Sequence, residues 1–494
     1  MHADVASLFL VDLEKKELYS KVFEHGVEEK ICFPMSVGIS GAVATTGKTI
    51  NLKDAHDDAR FNPEIDKRNN YRTKSYLSVA INGADGKIVG VCNLINKIDQ
   101  ETGEIIDFSE ADKSLFESFS VFCGLALSKT MMMEETIYQK QRLSLLTEML
   151  SFHSAVRPED LARYIKNEPE LLQPLTKINE YLYDPHIFHY TDETLAALGH
   201  QMFLSLAYDK TYRIPDIKLV EYILTVRHNY RPVVYHNFTH AISVTHGLYV
   251  LIINGVLDKY FDKLELFSMM IAALNHDIDH RGTNNSFQKK AGSVLGNFYS
   301  TSTMERHHFN HALMIMNSHD GLNILESLTT TEYKRCLGVI EASILATDLM
   351  SFFDTKKKVA ALLKEGSFEE KNETHLGYLR GVVMTCSDLA AMYKPFEINR
   401  HTADTVYQEF FLQGDEEKKM GLPYSADLMN REKEPEIPRM QVDFMNFVVI
   451  PAFECLQSML GEPVTHLVDG VKKNCDNWRE LMNASGPYKM GSPN

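Results

Sequence analysis

Apolar residues recur at helical spacing in one segment after another between about residue 155 and about residue 490, with almost no strand-like alternation. Because a period near 3.6 residues places these side chains on one face of a helix, this part of the chain is restricted to a mainly α fold. The clearest segments are "KLVEYILTVRHNY", "AISVTHGLYVLIIN", "LELFSMMIAALNHD", "GVIEASILATDLMSFF" and "MQVDFMNFVVIPAFECLQSML". We therefore predict an all-α domain here.

The first 130 residues follow a different pattern, in which apolar and polar residues alternate over short segments. The segments "SLFLVDL" and "ELYSKVF" alternate on either side of a charged turn, and "YLSVAI" and "IVGVCNLI" flank Asp85-Gly86, a pair that suits a hairpin turn. Between these pairs, "GISGAVATTG" predicts a short helix bounded by glycines. We predict an α+β domain over residues 1–130, with an antiparallel sheet and helices.

A helical pattern begins near Ser109, which we predict to be the N-cap, and continues to residue 153. It predicts one helix, or two nearly continuous helices, of about 40 residues in all. This is either a core helix that continues into a linker or a helix that also forms a homodimer. An apolar stripe fits the second interpretation only loosely; its members are Met132, Ile137, Leu143, Leu146 and Leu150.

Length and charge restrict the class of protein. With 494 residues the chain exceeds the ~250–300 residues at which single cores stop growing, so two domains are expected. The formal net charge of −16 disfavours a nucleic-acid backbone or an anionic membrane surface as partner.

Seven cysteines without tight spacing indicate reduced thiols rather than a disulfide framework. The start lacks a secretory signal and no apolar run reaches the ~18 residues of a membrane helix, so we predict a cytoplasmic protein without a membrane span.

Histidines and carboxylates are embedded in several of the predicted apolar helices, far apart in sequence. In "YHNFTHA", His236 and His240 are four residues apart, so on a helix both would project from nearly one face. One such pair is usually structural, and a buried carboxylate without a cation is costly. Several such groups together are best explained by a shared centre; the others lie in "NHDIDH", "STSTMERHHFNHA", "SILATDLM" and "TCSDLAAM".

The types of side chain in this set indicate a chemistry. Imidazoles and carboxylates without thiolates select a borderline or hard divalent ion. Two such ions about 3.5–4 Å apart suit hydrolysis of a phosphate ester, because they lower the pKa of a bridging water. The leaving alkoxide then needs a proton, and an imidazole that binds no metal is the natural donor.

The motifs also resemble a known family. "YHNFTHA", "NHDIDHRGTNNS", "STSTMERHHF", "ILATDL", "MTCSDLAAMYKP", "GDEEKKMGL" and "PRMQVDFMNF" are similar in order and spacing to those of class I cyclic nucleotide phosphodiesterases, over residues 200–480. The N-terminal third resembles a GAF domain through "SLFLVDLEKKELYS", "GISGAVATTGKTINLKDA" and "VGVCNLINKID". Within the class, "FYSTSTMERHHF", "LSFHS" and "GDEEKKMGL" look most like the type-ten, dual-substrate enzymes.

The resemblance implies roles for the matching histidines and aspartates. Four residues would bind zinc: His240, His276, Asp277 and Asp388. Asp277 would also bridge to a second ion, magnesium or manganese, whose other ligands are mostly water. A bridging hydroxide would attack phosphorus in line, and His236 would protonate the departing O3′ to give the 5′-monophosphate.

Further residues would orient the reactants or bind the nucleotide. Those implied to orient waters and ligands are His280, Glu305 and Thr347. Those implied to bind the substrate are Tyr235, Val406, Phe410, Gln441 and Phe444, of which Gln441 would hydrogen-bond the purine and Phe444 would stack on it. An amide free to flip could accept adenine or guanine, so the sequence leaves cAMP and cGMP both open as substrates.

The resemblance also implies a domain organisation. A GAF-like regulatory domain without its leading helix would occupy residues 1–130, a connecting helix 131–165 and an all-α catalytic domain 166–488. Lys113 stands where the GAF pattern has Glu, so binding of a cyclic nucleotide to this domain is left open. Phe238 replaces the usual Trp, and Ser387 replaces a small Cys or Ala.

Two other interpretations stay open from the residues alone. A different metal-dependent phosphohydrolase, acting on linear nucleotides, would share the histidines and aspartates but would not need Gln441 beside Phe444. A non-catalytic cyclic nucleotide sensor or dimerisation scaffold would have a broken ligand set, whereas the set here is complete.

Overall fold

The structure is a computed structural model that describes residues 2–13, 15–24, 27–63, 66–67, 71–152, 156–171, 178–183, 190–318, 322–484 and 488–491. The chain divides into two compact units, Met1–Lys140 and Gln141–Asn494. The first combines a sheet with helices. Among its described residues, the second contains helices and no strand. The predicted order of an α+β domain followed by an all-α domain is confirmed.

An antiparallel sheet forms the centre of the N-terminal unit. Its strands are β1 (Ala3–Asp12), β2 (Glu17–Glu24), β3 (Val27–Pro34), β4 (Ile50–Leu52), β5 (Tyr76–Asn82), β6 (Ile88–Ile98) and β7 (Ile105–Ile106). They lie in the order β3-β2-β1-β6-β5-β4, with β7 paired to β6. The β5–β6 hairpin turns at Asp85-Gly86 as predicted, and Gly86 has a φ of 80°, which a side chain would disfavour.

Helices cover both faces of this sheet, since successive strand residues point to opposite sides. Helix α1 (Gly38–Thr46) is the predicted glycine-bounded helix, and it packs Val43 and Ala44 on one face. On the other face lies the start of helix α2 (Glu110–Phe152). The side chains of this second cluster are Leu77, Val79, Leu94, Phe108 and Phe116.

Helix α2 is one continuous helix of 43 residues. Ser109 caps it as predicted, because its Oγ accepts the Asp112 N–H at 3.2 Å while the Asp112 carboxylate accepts the Ser109 N–H at 2.7 Å. Lys97 Nζ lies 2.5 Å from the same carboxylate and ties strand β6 to the helix start. Lys113, where the GAF pattern has Glu, pairs with Glu110 at 3.3 Å.

The C-terminal unit is built from helices throughout its described residues. After α2 these are α3 (Pro158–Leu171), α4 (Asp192–Ser205), α5 (Tyr208–Thr211), α6 (Asp216–His228), α7 (Phe238–Ile253), α8 (Lys263–Asn275), α9 (Asn285–Lys290), α10 (Val294–Phe298), α11 (Thr303–Met316), α12 (Thr330–Leu345), α13 (Leu349–Lys364), α14 (Glu373–Asp388), α15 (Phe396–Lys419), α16 (Ile437–Phe444), α17 (Ile450–Leu460) and α18 (Thr465–Asn483).

Helices α7 and α8 are buried on nearly all sides and form the centre of this unit. Their starts are capped by side chains: Asn237 Oδ1 accepts the Thr239 N–H, and Asp262 Oδ1 accepts the Leu264 N–H, both at 3.0 Å. Gly247 brings α7 against the end of α14, since a Cβ there would lie 3.2 Å from the carbonyl oxygen of Ser387 and 2.8 Å from the Cβ of Ala390, just after that helix. This close approach positions the functional ends of α7 and α14 beside each other.

One predicted helix is wrong. The apolar segment over residues 338–353 was predicted to be continuous, but α12 ends at Leu345 and α13 begins at Leu349. Asp348 caps the second helix by accepting the Met350 N–H at 3.0 Å, which explains the break. Within the described residues no single helix is long and apolar enough to cross a membrane, although α12 and α13 reach that length and hydropathy as a pair bent by 101°.

Candidate active site

Four side chains from three distant segments converge at one point of the C-terminal unit. His240 Nε2 lies 3.1 Å from Asp388 Oδ1, 3.2 Å from His276 Nε2 and 3.4 Å from Asp277 Oδ2. His276 Nε2 lies 3.2 Å from Asp277 Oδ2 and 3.4 Å from Asp388 Oδ1. The four predicted ligands are therefore brought together.

The ends of helices place these four groups. His240 is in the first turn of α7, His276 follows the last residue of α8, and Asp388 is the last residue of α14. All three helix ends are embedded in the main apolar core, so the polar tips meet in a buried environment. Side chains at helix ends can converge in this way without any polar group interrupting an apolar helix face.

The two carboxyl groups of this cluster are ionised, which is the state in which a carboxylate binds a metal. His276 Nδ1 donates to the Ala273 carbonyl at 2.9 Å, so Nε2 is the nitrogen that faces the other three donors. Burial alone would raise the pKa of Asp277, but the imidazoles of His276 and His240 lower it well below 3.8. The Asp388 carboxyl is likewise held ionised, because the hydrogen bonds of His240 and His276 outweigh its burial.

The spacing of these donor atoms fits one bound cation. Ligand atoms about 2.0–2.1 Å from a tetrahedrally coordinated zinc are separated by about 3.3 Å. The observed separations of 3.1–3.4 Å agree with that value. His240, His276 and Asp388 also form one of the groups whose donor atoms are close enough together to hold a metal ion.

Asp277 faces a second group of donors with its other oxygen. Its Oδ1 lies 3.6 Å from His308 Nε2, a fully buried nitrogen with no hydrogen-bond partner among the described residues. Asp277, His280 and His308 offer donor atoms within 4.8 Å of one another. One carboxylate therefore borders two candidate cation positions, as the predicted bridging role requires.

His236 lies beside this centre but is not among its donor atoms. The prediction that His236 and His240 share a helix face is wrong, because Asn237 is the N-cap of α7 and His236 precedes the helix. The two rings are nevertheless close, with centroids 5.6 Å apart. The imidazole of His236 forms an ion pair through Nδ1 with Glu409 Oε1.

The Glu409 carboxylate contacts both the backbone and the imidazole ring of His236. Its Oε2 accepts the backbone N–H groups of Tyr235 at 2.8 Å and His236 at 3.2 Å. Burial lowers the pKa of His236, but the Glu409 carboxylate more than offsets this and raises it to about 9. The imidazole is thus kept protonated and oriented, which are the properties of a general acid.

The three residues predicted to orient ligands also border the centre. The His280 ring stacks on that of His236 at 4.0 Å, and burial lowers its pKa to about 4. Glu305 receives two hydrogen bonds from Asn285 Nδ2, at 3.0 and 3.3 Å, and burial raises its pKa to about 7. Thr347 Oγ1 donates to the Ile344 carbonyl at 2.8 Å, in the break between α12 and α13.

A cavity of about 270 Å³ opens onto the centre. Most of the predicted site residues line it: His236, Asp277, His280, Glu305, Thr347, Asp388, Val406 and Phe410. His240 and His276 lie behind this wall and are buried. The cavity therefore has one polar side, formed by the imidazoles and carboxylates, and one apolar side, formed by Val406 and Phe410 of α15.

Three predicted substrate-binding residues are not on the wall of this cavity. Tyr235 borders a separate cavity of about 10 Å³ behind His240 and Asp388. Gln441 is buried on α16, with Nε2 3.6 Å from Met392 Sδ. Phe444 packs against the main core. The roles implied for these residues stay predictions.

The structure adds site residues that the sequence analysis did not assign. Glu409 is the most important, and its only signal was a carboxylate between aromatic residues in "YQEFF". Asn284 and Gln413 also line the cavity, where Gln413 Oε1 accepts the Asn284 N–H at 2.8 Å. Gln413 Nε2 donates to the buried Glu417 at 3.0 Å, which fixes the orientation of the amide.

Two protein families match the chain. Residues 235–471 match the 3′5′-cyclic nucleotide phosphodiesterase family, and residues 1–127 match the GAF domain family. The first range contains all four converging ligands as well as His236, Glu409 and Gln441.

Similar proteins span both regions. The dual 3′,5′-cyclic-AMP and -GMP phosphodiesterase 11 of Drosophila melanogaster is 37% identical over 450 residues, which is 91% of this chain and 30% of that protein. The probable 3′,5′-cyclic phosphodiesterase pde-5 of Caenorhabditis elegans is 34% identical, over 97% of this chain and 65% of that protein. The cGMP-specific 3′,5′-cyclic phosphodiesterase of Drosophila virilis is 34% identical, over 90% and 49%. The chain thus spans between 30% and 65% of the length of these relatives.

Proposed function

We propose that the protein hydrolyses 3′,5′-cyclic nucleotides to nucleoside 5′-monophosphates, because residues 235–471 match the 3′5′-cyclic nucleotide phosphodiesterase family and residues 1–127 match the GAF domain family. The observation that carries this proposal is the convergence of two imidazoles and two carboxylates at one end of the cavity, beside a protonated histidine. Hydrolysis of a cyclic phosphodiester would terminate a cyclic nucleotide signal.

We propose zinc as the ion held by the first group of donors, and magnesium or manganese as the second ion. The zinc ligands would be His240, His276, Asp277 and Asp388. Asp277 would be shared with the second ion, since its two oxygens face different donor groups. When bound, two such ions polarise the phosphate and activate the attacking water.

His236 would donate the proton to the departing O3′. A leaving alkoxide is a strong base, so a positioned acid lowers the barrier to P–O cleavage. Glu409 would act through His236, holding its Nδ1 side so that the opposite edge of the ring is turned to the substrate. The proton then moves from the imidazolium to O3′ as the bond breaks.

His280 and Glu305 would orient the water and the ligand carboxylates, with Thr347 beside them on the cavity wall. His280 Nδ1 accepts the Gly282 N–H at 3.0 Å, so a neutral His280 carries its proton on Nε2 and can donate from there. Glu305 has a pKa raised by burial to about 7, so it can exchange a proton near neutral pH.

The nucleotide would bind with its phosphate at the ligand cluster and its base toward Val406 and Phe410. We propose that Gln441, Phe444 and Tyr235 complete this pocket. Both cAMP and cGMP are proposed as substrates, which agrees with the name of the fly dual-specificity relative. The type-ten subfamily is the finer assignment that we propose from the motifs of the sequence.

A comparison of cyclic and linear nucleotides tests this function. The pure protein with divalent ions is expected to convert cAMP and cGMP to the 5′-monophosphates, while linear 5′-nucleotides are left intact. Cleavage of linear phosphates with survival of the cyclic ones would instead support a different phosphohydrolase.

Gln441→Ala should raise KM for both cyclic nucleotides by about tenfold, because one amide hydrogen-bonding pair is worth about 1.4 kcal/mol in such a site.

We further propose that the GAF domain regulates the hydrolase by binding a cyclic nucleotide, and that the protein acts in the cytoplasm as a homodimer. The dimer surface would lie on α2, where large apolar side chains are exposed; those within the N-terminal unit include Phe122, Met132, Met133 and Ile137. Exposed apolar patches of this kind commonly mark protein–protein contacts.

Charge on this surface should disrupt the dimer. Met132→Glu combined with Ile137→Glu is expected to weaken self-association at least tenfold, or about 1.4 kcal/mol, because it places carboxylates in an apolar contact. Sedimentation or light scattering over a concentration series measures this change. Ile217→Glu, at an exposed apolar position of α6, is the control and should leave association unaltered. Equal association of all three proteins would exclude α2 as the dimer surface.

A further inference from the structure

Asp279 lies in the middle of the ligand-bearing segment but touches no proposed substrate or metal position. It is fully buried and its backbone has a φ of 59°. This is the left-handed region, which residues other than Gly, Asn and Asp rarely adopt. It sits between Asp277 and His280, both on the cavity wall. A strained backbone at this point needs a compensating interaction.

Three hydrogen bonds hold Asp279 in this conformation. Its N–H donates to the Asn229 carbonyl at 3.0 Å, Arg231 Nε donates to Oδ1 at 2.5 Å, and His307 Nε2 lies 2.7 Å from Oδ2. A fourth group, Arg281 Nη2, lies 3.7 Å from the same carboxylate. Hydrogen bonds with a charged partner are about twice as strong as neutral ones, so this buried carboxylate is a strong anchor.

These contacts link three site-bearing segments to one another. Asn229 and Arg231 precede the short stretch that carries His236. His307 is on α11, two residues after Glu305, and the adjacent His308 donates through Nδ1 to the Ile278 carbonyl at 2.5 Å. The left-handed turn at residue 279 therefore joins α11 and the His236 segment to the residues that follow α8.

We propose that Asp279 is a positioning residue that fixes His276, Asp277 and His280 relative to the His236 segment and to α11. The carboxylate acts only through these neighbours. Without its charge, the left-handed turn loses its two side-chain anchors, and the donor atoms no longer keep the spacing that one cation requires. The effect on catalysis rests on the proposed function, whereas the effect on metal affinity does not.

Asp279→Asn tests this proposal while keeping size and backbone preference, because Asn also tolerates the left-handed region. Metal-free protein titrated with zinc should show an affinity 10–100-fold below that of the wild type, as for other residues that orient ligands. The kcat for cAMP at saturating zinc should recover more fully than kcat at limiting zinc. This rescue by metal distinguishes a positioning role from a general loss of stability.

The matched control is Glu265→Gln, at the other end of α8. Glu265 is also a buried carboxylate with two cations, Arg380 at 2.7 Å and Arg335 at 3.2 Å. It lies 11 residues before His276, or about 16 Å along a helix. This variant should lose thermal stability like Asp279→Asn but keep the wild-type zinc affinity.

If Asp279→Asn does not fold, Arg231→Gln is the substitute test, because it removes only the Arg231 contact with Asp279 Oδ1. It should lower zinc affinity in the same direction by a smaller factor, since His307 still holds Oδ2. Zinc affinity within twofold of the wild type in the folded variant, or an equal loss in Glu265→Gln, would overturn the proposal. If wild-type protein binds zinc but does not cleave cyclic nucleotides, the proposed function fails while the role of Asp279 stands.

Discussion

Replacing Asp388 by alanine is expected to remove bound zinc and to lower kcat/KM for cAMP and cGMP at least a thousandfold, or about 4 kcal/mol of transition-state stabilisation. Asp388 Oδ1 lies 3.1 Å from His240 Nε2 and 3.4 Å from His276 Nε2, so it is one of the four converging donors. Loss of this carboxylate removes one of the four donors and leaves Asp277 as the one negatively charged donor of the cluster, so both the geometry of the site and the neutralisation of the cation are weakened.

The measurement is metal content after dialysis, together with initial rates for both nucleotides. Asp262→Ala is the control, because it removes the N-cap of α8 and costs about 1 kcal/mol of stability without touching the donors. Any cyclic nucleotide binding by the GAF domain should persist in Asp388→Ala, since all four donors lie in the unit Gln141–Asn494. Unchanged zinc content would remove Asp388 from the metal site.

Replacing His236 by alanine is expected to lower kcat by a factor of about 10²–10⁴, the usual contribution of a general acid, while the protein keeps its metal. The imidazole is not one of the four converging donors; it belongs to a separate group with His280 and Glu409, and Glu409 engages its Nδ1. Chemistry rather than binding is affected, so KM should change far less than kcat.

An aryl phosphodiester with a p-nitrophenolate leaving group tests the assigned step directly. This leaving group departs without a proton, so His236→Ala should be impaired far less on it than on cAMP. Glu409→Gln should show the same pattern with a smaller loss, because Glu409 acts only through His236. Loss of zinc from His236→Ala, or an equal loss of rate on both substrates, would show that the role of this histidine is misassigned.

Local patterns were sufficient to predict four of the strands, several of the helices and some of their ends. The Asp85-Gly86 hairpin, the glycine-bounded α1 and the Ser109 cap of α2 were all predicted from residues within a few positions of each other. Errors arose where a polar side chain begins a helix inside a segment that was predicted to be continuously helical. Asn237 and Asp348 are such N-caps, and the helical spacing of the residues around them does not reveal where the helix starts.

The candidate site likewise contains residues that local motifs predicted and residues that they missed. His240, His276, Asp277 and Asp388 were predicted by the motifs, and the structure brings them together. Glu409 was missed because a carboxylate in an aromatic-rich helix has no distinguishing local pattern. Gln441 and Phe444 were assigned by resemblance, and their roles stay predictions; in the structure Gln441 lies beside Met392 and Phe444 packs against the core.

The sequence by itself determined the two fold classes, the helical period, the Ser109 cap and the set of imidazoles and carboxylates capable of binding cations. These properties depend on neighbours one to four residues apart, which share a turn or a strand face. Only the tertiary structure decided that Glu409 holds His236 across 173 residues and that Asp279 joins three segments. It also decided that the two oxygens of Asp277 face different donor groups. The physical reason is that the packing of the apolar helix faces determines which polar side chains at distant helix ends come into contact. The spacing of apolar residues within one helix carries no information about those contacts.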